Sequence, residues 1–200
     1  MHIFEYGEKE IEHLKKKDKR LGAAIDRIGR IKREIIPDPF AALISSIVGQ
    51  QISSSAAKTV WDRLLVLLGD ITPENIVNAD MSAIKSCGMS QRKADYIRGI
   101  ADAAISGDVD FARLYTLSDE EIIKKLSSFH GVGVWTAEML LIFSLCRPDV
   151  VSYKDLAICR GMMNLYGLKE LSRESFDKYR KRYSPYGSVA SLYLWALSVM

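Results

Sequence analysis

Apolar residues recur at intervals of three and four along almost the whole chain, and strict apolar–polar alternation is nearly absent. That spacing predicts an all-α fold. From Phe40, the positions Leu43, Ile44, Ile47 and Val48 mark one buried helix, and Ala56, Val60, Trp61, Leu64, Leu65 and Leu68 mark a second that Gly69 stops. Thr72-Pro73 pairs an N-cap with proline at the first helical position. Asp80 and Ser90 can cap further helices, and Ser118-Asp119-Glu120-Glu121 reads as a capping box opening a helix to about Ser127. Another helix runs from about Val134 to Leu145, ended by Arg147-Pro148, after which Val150-Val151 reads as extended. Helices follow from Asp155, from Ser172 and from Ser184-Pro185 to the end. Nearer the start, Asp18 can cap a helix that uses Leu21, Ala24, Ile25 and Ile28.

Breaks at Pro37-Asp38-Pro39 and near Arg147-Pro148 divide the helices into two lobes whose mutual packing periodicity does not specify. The 200 residues, 48% hydrophobic and 26% charged, suffice for a real core and exclude wholesale disorder. No apolar run is long enough to span a membrane, and the start lacks the layout of a secretion signal. Cys87, Cys146 and Cys159 have no metal-ligand spacing, and their odd number leaves any disulfide scheme incomplete, so a reducing, intracellular setting (cytoplasm or nucleoid, or a nucleus) is expected. The net charge of +3 is compatible with nucleic acid and decides nothing.

The stretch richest in chemistry is Phe129-His130-Gly131-Val132-Gly133-Val134-Trp135-Thr136-Ala137, between a capped helix and an apolar one. Two glycines one residue apart permit a tight hairpin with positive φ, and the following helix points its first N–H groups at whatever sits in the turn. A phosphate is the natural guest. On Gly-x-Gly alone, an ordinary helix corner with glycines for compactness is the favoured reading. In order around it stand Ser46-Ile47-Val48-Gly49-Gln50-Gln51-Ile52-Ser53, Cys87-Gly88-Met89-Ser90-Gln91-Arg92-Lys93-Ala94, Val150-Val151-Ser152-Tyr153-Lys154-Asp155-Leu156 and Arg182-Tyr183-Ser184-Pro185-Tyr186-Gly187-Ser188.

This ordered set resembles the helix-hairpin-helix superfamily of DNA base-excision glycosylases, and within it the 3-methyladenine DNA glycosylase II branch, from about Asp18 to the end. The resemblance implies two helical lobes flanking a DNA-binding cleft: 40–146 as the central lobe with the hairpin at about 120–145, and 1–39 with 147–200 as the second. It implies a monofunctional enzyme of base excision repair that flips alkylated purines such as 3-methyladenine out of double-stranded DNA and hydrolyses the N-glycosidic bond. Asp155 falls at the catalytic aspartate. Gln51 falls where a side chain fills the gap left by the flipped base. Gly131, Gly133 and Val134 belong to the phosphate-gripping turn, and Trp135, Tyr186 and Met139 to positions bordering the base. No cofactor is implied beyond an optional Na⁺ or K⁺ on the main-chain carbonyls of Ser127, Phe129 and Val132, and the enzyme would work as a monomer.

Three departures stand out. His130 replaces the proline usual before the hairpin glycines, Met139 stands where an aromatic is expected, and Tyr153-Lys154 precedes the aspartate where closer relatives tend to have proline and a second acid. The N-terminal β-domain of larger relatives is also expected to be missing. Two absences shape the expected chemistry. Strand-cleaving members carry a lysine where Trp135 stands, and the endonuclease-III-like members end in four cluster-binding cysteines, whereas no cysteine follows Cys159, so no iron–sulfur cluster is expected.

Plainer roles compete at each position. Asp155 could serve only as a helix N-cap, Trp135 and Tyr186 as core aromatics, and Gln51 as a solvated helix end. Trp61 and Trp195 read as core, His2 and His13 as unpaired surface residues, and Lys154 as a phosphate contact or surface charge, with nucleophile the remote alternative. Two functions stay open beside the alkylpurine reading: a glycosylase for uracil, mismatched or oxidised bases, and a non-enzymatic helix-hairpin-helix DNA-binding module.

Overall fold

The computed structural model describes residues 2–200. In chain order the elements are β1 (His2–Ile3), α1 (Glu8–Lys17), α2 (Lys19–Ile28), β2 (Glu34–Ile35), α3 (Pro39–Gly49), α4 (Ser54–Leu68), α5 (Pro73–Asn78), α6 (Met81–Ser86), α7 (Gln91–Ile105), a 3₁₀ turn (Ala112–Thr116), α8 (Asp119–Leu126), α9 (Val134–Phe143), α10 (Leu156–Tyr166), α11 (Arg173–Tyr183) and α12 (Gly187–Leu197). The fold is all-α, as the periodicity predicts. The capping side chains of Asp18, Thr72, Asp80, Ser90, Ser118, Asp155 and Ser172 each accept the backbone N–H bonds that define their helix starts. The chain forms two units, Ile36–Leu140 and Met1–Ile35 with Leu141–Met200, and the second boundary falls inside α9.

In the unit Ile36–Leu140, α3 and α7 supply the centre: Leu43, Ile44 and Ile47 on one, Ile97, Ile100 and Ala101 on the other, are all buried. Phe40 meets Phe111 edge-on at 5.3 Å. The helix α4 differs from its sequence pattern, since only Val60 and Leu64 are buried and Leu65 is 38% exposed. Its apolar stripe is narrower than the residue types suggest, because flanking Leu65, Val66 and Leu67 face outward.

In the other unit, α12 is buried along nearly its whole length and packs on α10 and α2. The approach of α10 is close: a Cβ added at Gly161 would lie 1.9 Å from the Leu194 carbonyl oxygen. Two features lie outside the sequence reading. The helix α1, Glu-Lys-Glu-Ile-Glu-His-Leu-Lys-Lys-Lys, has too few apolar residues to show a period. It is held by acids in its first turn, lysines in its last, a 2.8 Å bond from the Gly7 N–H to the Glu10 carboxylate, and buried Leu14. The β1–β2 pair is antiparallel with His2 opposite Ile35, too short for alternation to register. Val150-Val151 lies outside both helix and strand, as an extended connection.

Candidate functional site

The hairpin is built from the end of α8 to the start of α9. Ser127 caps α8, the Phe129 N–H donates to the Leu126 carbonyl at 3.1 Å, and the Val132 N–H donates to the Phe129 carbonyl at 3.1 Å. The two glycines have different reasons to be glycine. Gly131 has φ of 84°, and a Cβ there would sit 2.1 Å from the Tyr96 ring. Gly133 is not in the left-handed region, so only Gly131 uses the positive φ that the pair permits, and no atom lies within 4 Å of a Cβ built on Gly133. The Ala137 N–H donates to the Gly133 carbonyl at 3.1 Å, so α9 begins directly after the second glycine, at Val134. Val134 and Trp135 are 42% and 39% exposed, whereas Met139, one turn on, is buried. His130 is exposed.

The Gln51 turn belongs to the same unit. Gln51 is exposed and has φ of 58°, one of two non-glycine residues with positive φ among the described residues. That conformation costs of the order of 1–3 kcal/mol and concentrates at functional turns. The neighbouring Gln50 side chain donates to the Gly131 carbonyl at 2.9 Å, so the turn and the hairpin are directly tied. The hairpin also suits a monovalent cation chemically: Ser127 brings a buried Oγ without a hydrogen-bond partner as well as its carbonyl, beside those of Phe129 and Val132.

Asp155 lies in the other unit, and its own side chain starts α10. Oδ1 accepts from the Ala157 and Ile158 N–H groups, both at 2.9 Å, and Oδ2 accepts from the Trp195 indole N–H at 3.2 Å. Asp155 is 7% exposed; its neighbours Lys154 and Leu156 are both exposed. Trp195 is therefore more than the core residue its sequence position suggests. It is half-buried, rests against Phe143 with ring centroids 5.4 Å apart, and orients the carboxylate. No local motif signals this, because forty positions separate the two residues.

Tyr186 stands at the N-terminus of α12, half-buried, with the His13 ring edge-on at 5.1 Å. His13 is not unpaired: its Nε2 lies 3.0 Å from the Ser184 carbonyl. Asp149 fixes the same corner, accepting from Ser184 Oγ at 2.5 Å and from the Gly187 N–H at 3.0 Å. The partners of His13 and the role of Asp149 are not legible in the sequence, since they are remote or belong to a turn without a motif.

All three cysteines are free thiols, with Cys159 pushed up by burial and then by the nearby Asp155 charge. Among the described residues no group of three His, Cys, Asp or Glu could hold a metal, and no helix is long and apolar enough to cross a membrane.

The glycine hairpin thus leads straight into α9, and Asp155, in the other unit, is a buried helix cap. Residues 44–185 match the HhH-GPD superfamily base excision DNA repair protein family, and the chain belongs to it. It is similar to DNA-3-methyladenine glycosylase 1 of Schizosaccharomyces pombe, 36% identical over 166 residues that cover 80% of this chain and 73% of the relative. Its structure resembles that of a DNA-3-methyladenine glycosidase from Bacillus halodurans, with a TM-score of 0.85, 36% identity, and 99% and 93% of the two chains covered. It also resembles the S. pombe 3-methyladenine DNA glycosylase in complex with abasic DNA, with a TM-score of 0.85, 33% identity, and 96% and 97% covered.

Proposed function

We propose that this protein is a monofunctional DNA glycosylase that removes N-alkylated purines such as 3-methyladenine from duplex DNA by hydrolysis, with Asp155 as its catalytic carboxylate. The observation that carries the reading is the setting of Asp155: buried, at a helix N-terminus, with donors on both oxygens. A carboxylate held by donors on both oxygens is fixed in orientation.

A base inside a duplex is out of reach, so the nucleotide must rotate out at a cost of a few kcal/mol in unstacking. Gln51 fills the gap it leaves, and the hairpin at Gly131, Gly133 and Val134 holds a backbone phosphate through N–H groups. An N-alkylated purine is cationic, so the aromatic faces of Trp135 and Tyr186 attract it by ~0.5–2 kcal/mol each. Met139 offers a softer, polarisable surface than the aromatic expected there. The cationic base is already a good leaving group and needs no strong general acid. As the glycosidic bond breaks, the electron pair leaves with the base and positive charge grows on the sugar, where the Asp155 carboxylate stabilises it. Asp155 also orients the water that adds to the sugar carbon and receives its proton. The products are a free base and an intact strand with an abasic site.

With Trp135 at the position of the lysine in strand-cleaving members, no amine is provided there to form an imine, and the backbone should survive. The enzyme acts as a monomer and needs no cofactor; a bound Na⁺ or K⁺ would neutralise charge and stiffen the hairpin. Base release from a panel of alkylated, deaminated and oxidised duplexes tests the reading: alkylpurines should be released fastest. Preference for uracil or an oxidised base would reassign the substrate, and binding without release would leave a DNA-binding module.

A further inference from the structure

The turn that presents Gln51 is held by a lysine from another helix. Lys93, in the first turn of α7, donates through Nζ to the carbonyls of Val48 at 2.9 Å and Gln50 at 2.6 Å. These carbonyls belong to the end of α3, where the last C=O groups lack intrahelical partners and the helix dipole is negative. The residue after Gln50 is Gln51, at φ 58°. The same face of α7 reaches the hairpin: three residues on from Lys93, the Tyr96 ring occupies the space a Gly131 Cβ would need. The Gln50 side chain closes the circuit by donating to the Gly131 carbonyl. Burial lowers the Lys93 ammonium below the usual lysine range, as expected for a charge withdrawn from water to serve two carbonyls.

We propose that Lys93 is a positioning residue for Gln51, whose ammonium fixes the Val48 and Gln50 carbonyls so that the next residue is held in the left-handed conformation from which its side chain enters the duplex. The proposal rests on the reading of Gln51 as the gap-filling residue. Lys93 acts through the turn and does not touch the base or the reacting sugar. A surface lysine contacting a phosphate would have its ammonium free for that contact, whereas here the ammonium already serves two backbone oxygens of one turn.

The test uses a duplex with a tetrahydrofuran abasic analogue beside 2-aminopurine, whose fluorescence rises when the neighbouring stack is opened. Binding of the wild-type protein should raise the signal. Gln51→Ala should cut that rise by about fivefold or more, and Lys93→Met should do the same, because losing the bonds that hold a turn is an effect of this size. Lys93→Arg, which can still donate to both carbonyls, should restore most of the signal. The double variant Gln51→Ala, Lys93→Met should be no worse than Gln51→Ala alone, since a residue acting through another adds nothing once that residue is gone. Should Lys93→Met not fold, Lys93→Gln takes its place in the same cycle. A folded Lys93 variant with a full signal, beside a defective Gln51→Ala, overturns the proposal and leaves the role of Gln51 standing. A full signal from Gln51→Ala defeats the gap-filling reading, and the proposal with it. Lys93→Met that instead weakens binding to undamaged duplex and flattens its salt dependence, with stacking still disrupted, makes Lys93 a phosphate contact and also overturns it.

Discussion

The indole N–H of Trp195 donates to Oδ2 of Asp155 at 3.2 Å, on the carboxylate whose Oδ1 caps α10. One oxygen is tied to its own helix and the other to α12, so the plane of the group is fixed from two sides. Trp195→Phe keeps a ring against Phe143 and removes only the donor. Single-turnover base release should fall by ~10-fold, the effect of one charge-assisted hydrogen bond, with little change in Tm. A rate within twofold of wild type would show that the carboxylate is oriented without Trp195.

The two hairpin glycines should fail in different ways. Gly131→Ala places a Cβ at positive φ and against the Tyr96 ring, so it should destabilise the fold by ~2–4 kcal/mol. Gly133→Ala meets nothing within the protein and should leave Tm unchanged. Its added methyl projects into open space at the turn proposed to hold a DNA phosphate. Affinity should therefore drop for damaged and undamaged duplexes alike, because a phosphate contact carries no sequence information. Thermal melts and duplex titrations over a range of salt separate the two effects.

Asp18 ties the N-terminal segment to α10 and α11, accepting from Tyr166 at 2.7 Å and Arg182 at 3.0 Å while capping α2. Burial pushes its carboxyl up, but the Leu21 N–H, Tyr166 and Arg182 outweigh that and hold it below the usual carboxylate range. A carboxylate lowered on folding stabilises above its unfolded pKa, and that stabilisation is lost as the pH falls through the folded value. Asp18→Asn keeps the cap and removes the charge, so it should cost ~1–3 kcal/mol at pH 7, at the low end because Arg182 is part-exposed. The gap from wild type should narrow as the pH drops below about 4. Urea unfolding at pH 7 and pH 3 measures it, and an equal gap at both would mean that charge is not what Asp18 contributes.

Strand chemistry separates water from amine. With Trp135 where a lysine would stand, borohydride added during turnover on a damaged duplex should trap no covalent adduct, and the strand should stay intact until alkali or heat is applied. Lys154 is exposed and adjacent to Asp155, which makes it the amine to watch. A strong DNA-linked band that disappears in Lys154→Ala would make Lys154 a nucleophile.

Helix starts were legible because they depend on one side chain and the next three residues, and Asp18, Ser118 and Asp155 act within that range. The hairpin was legible for the same reason. What stayed hidden depends on residues far apart in the chain: Trp195 on Asp155, His13 and Asp149 around Tyr186, and Lys93 beneath the Gln51 turn. α1 was invisible because charge pairs and one buried leucine hold it, not an apolar stripe. The contrast between Gly131 and Gly133 is not local in the chain, since a side chain from α7 decides it.

The central claim is that Asp155 drives hydrolytic release of an alkylated purine, and one measurement tests it most directly: single-turnover release of 3-methyladenine from a methylated duplex by the wild-type protein and by Asp155→Asn. Asparagine preserves the size and, through Oδ1, the cap, while its Nδ2 cannot accept from Trp195, so Tm should fall only by the loss of that one bond and duplex affinity should hold. The wild-type protein should release the free base, and the variant should be slower by ~10²–10⁴, the range for losing a charge-stabilising or acid–base group. A folded, DNA-binding Asp155→Asn variant that releases the base at near-normal rate would contradict the account.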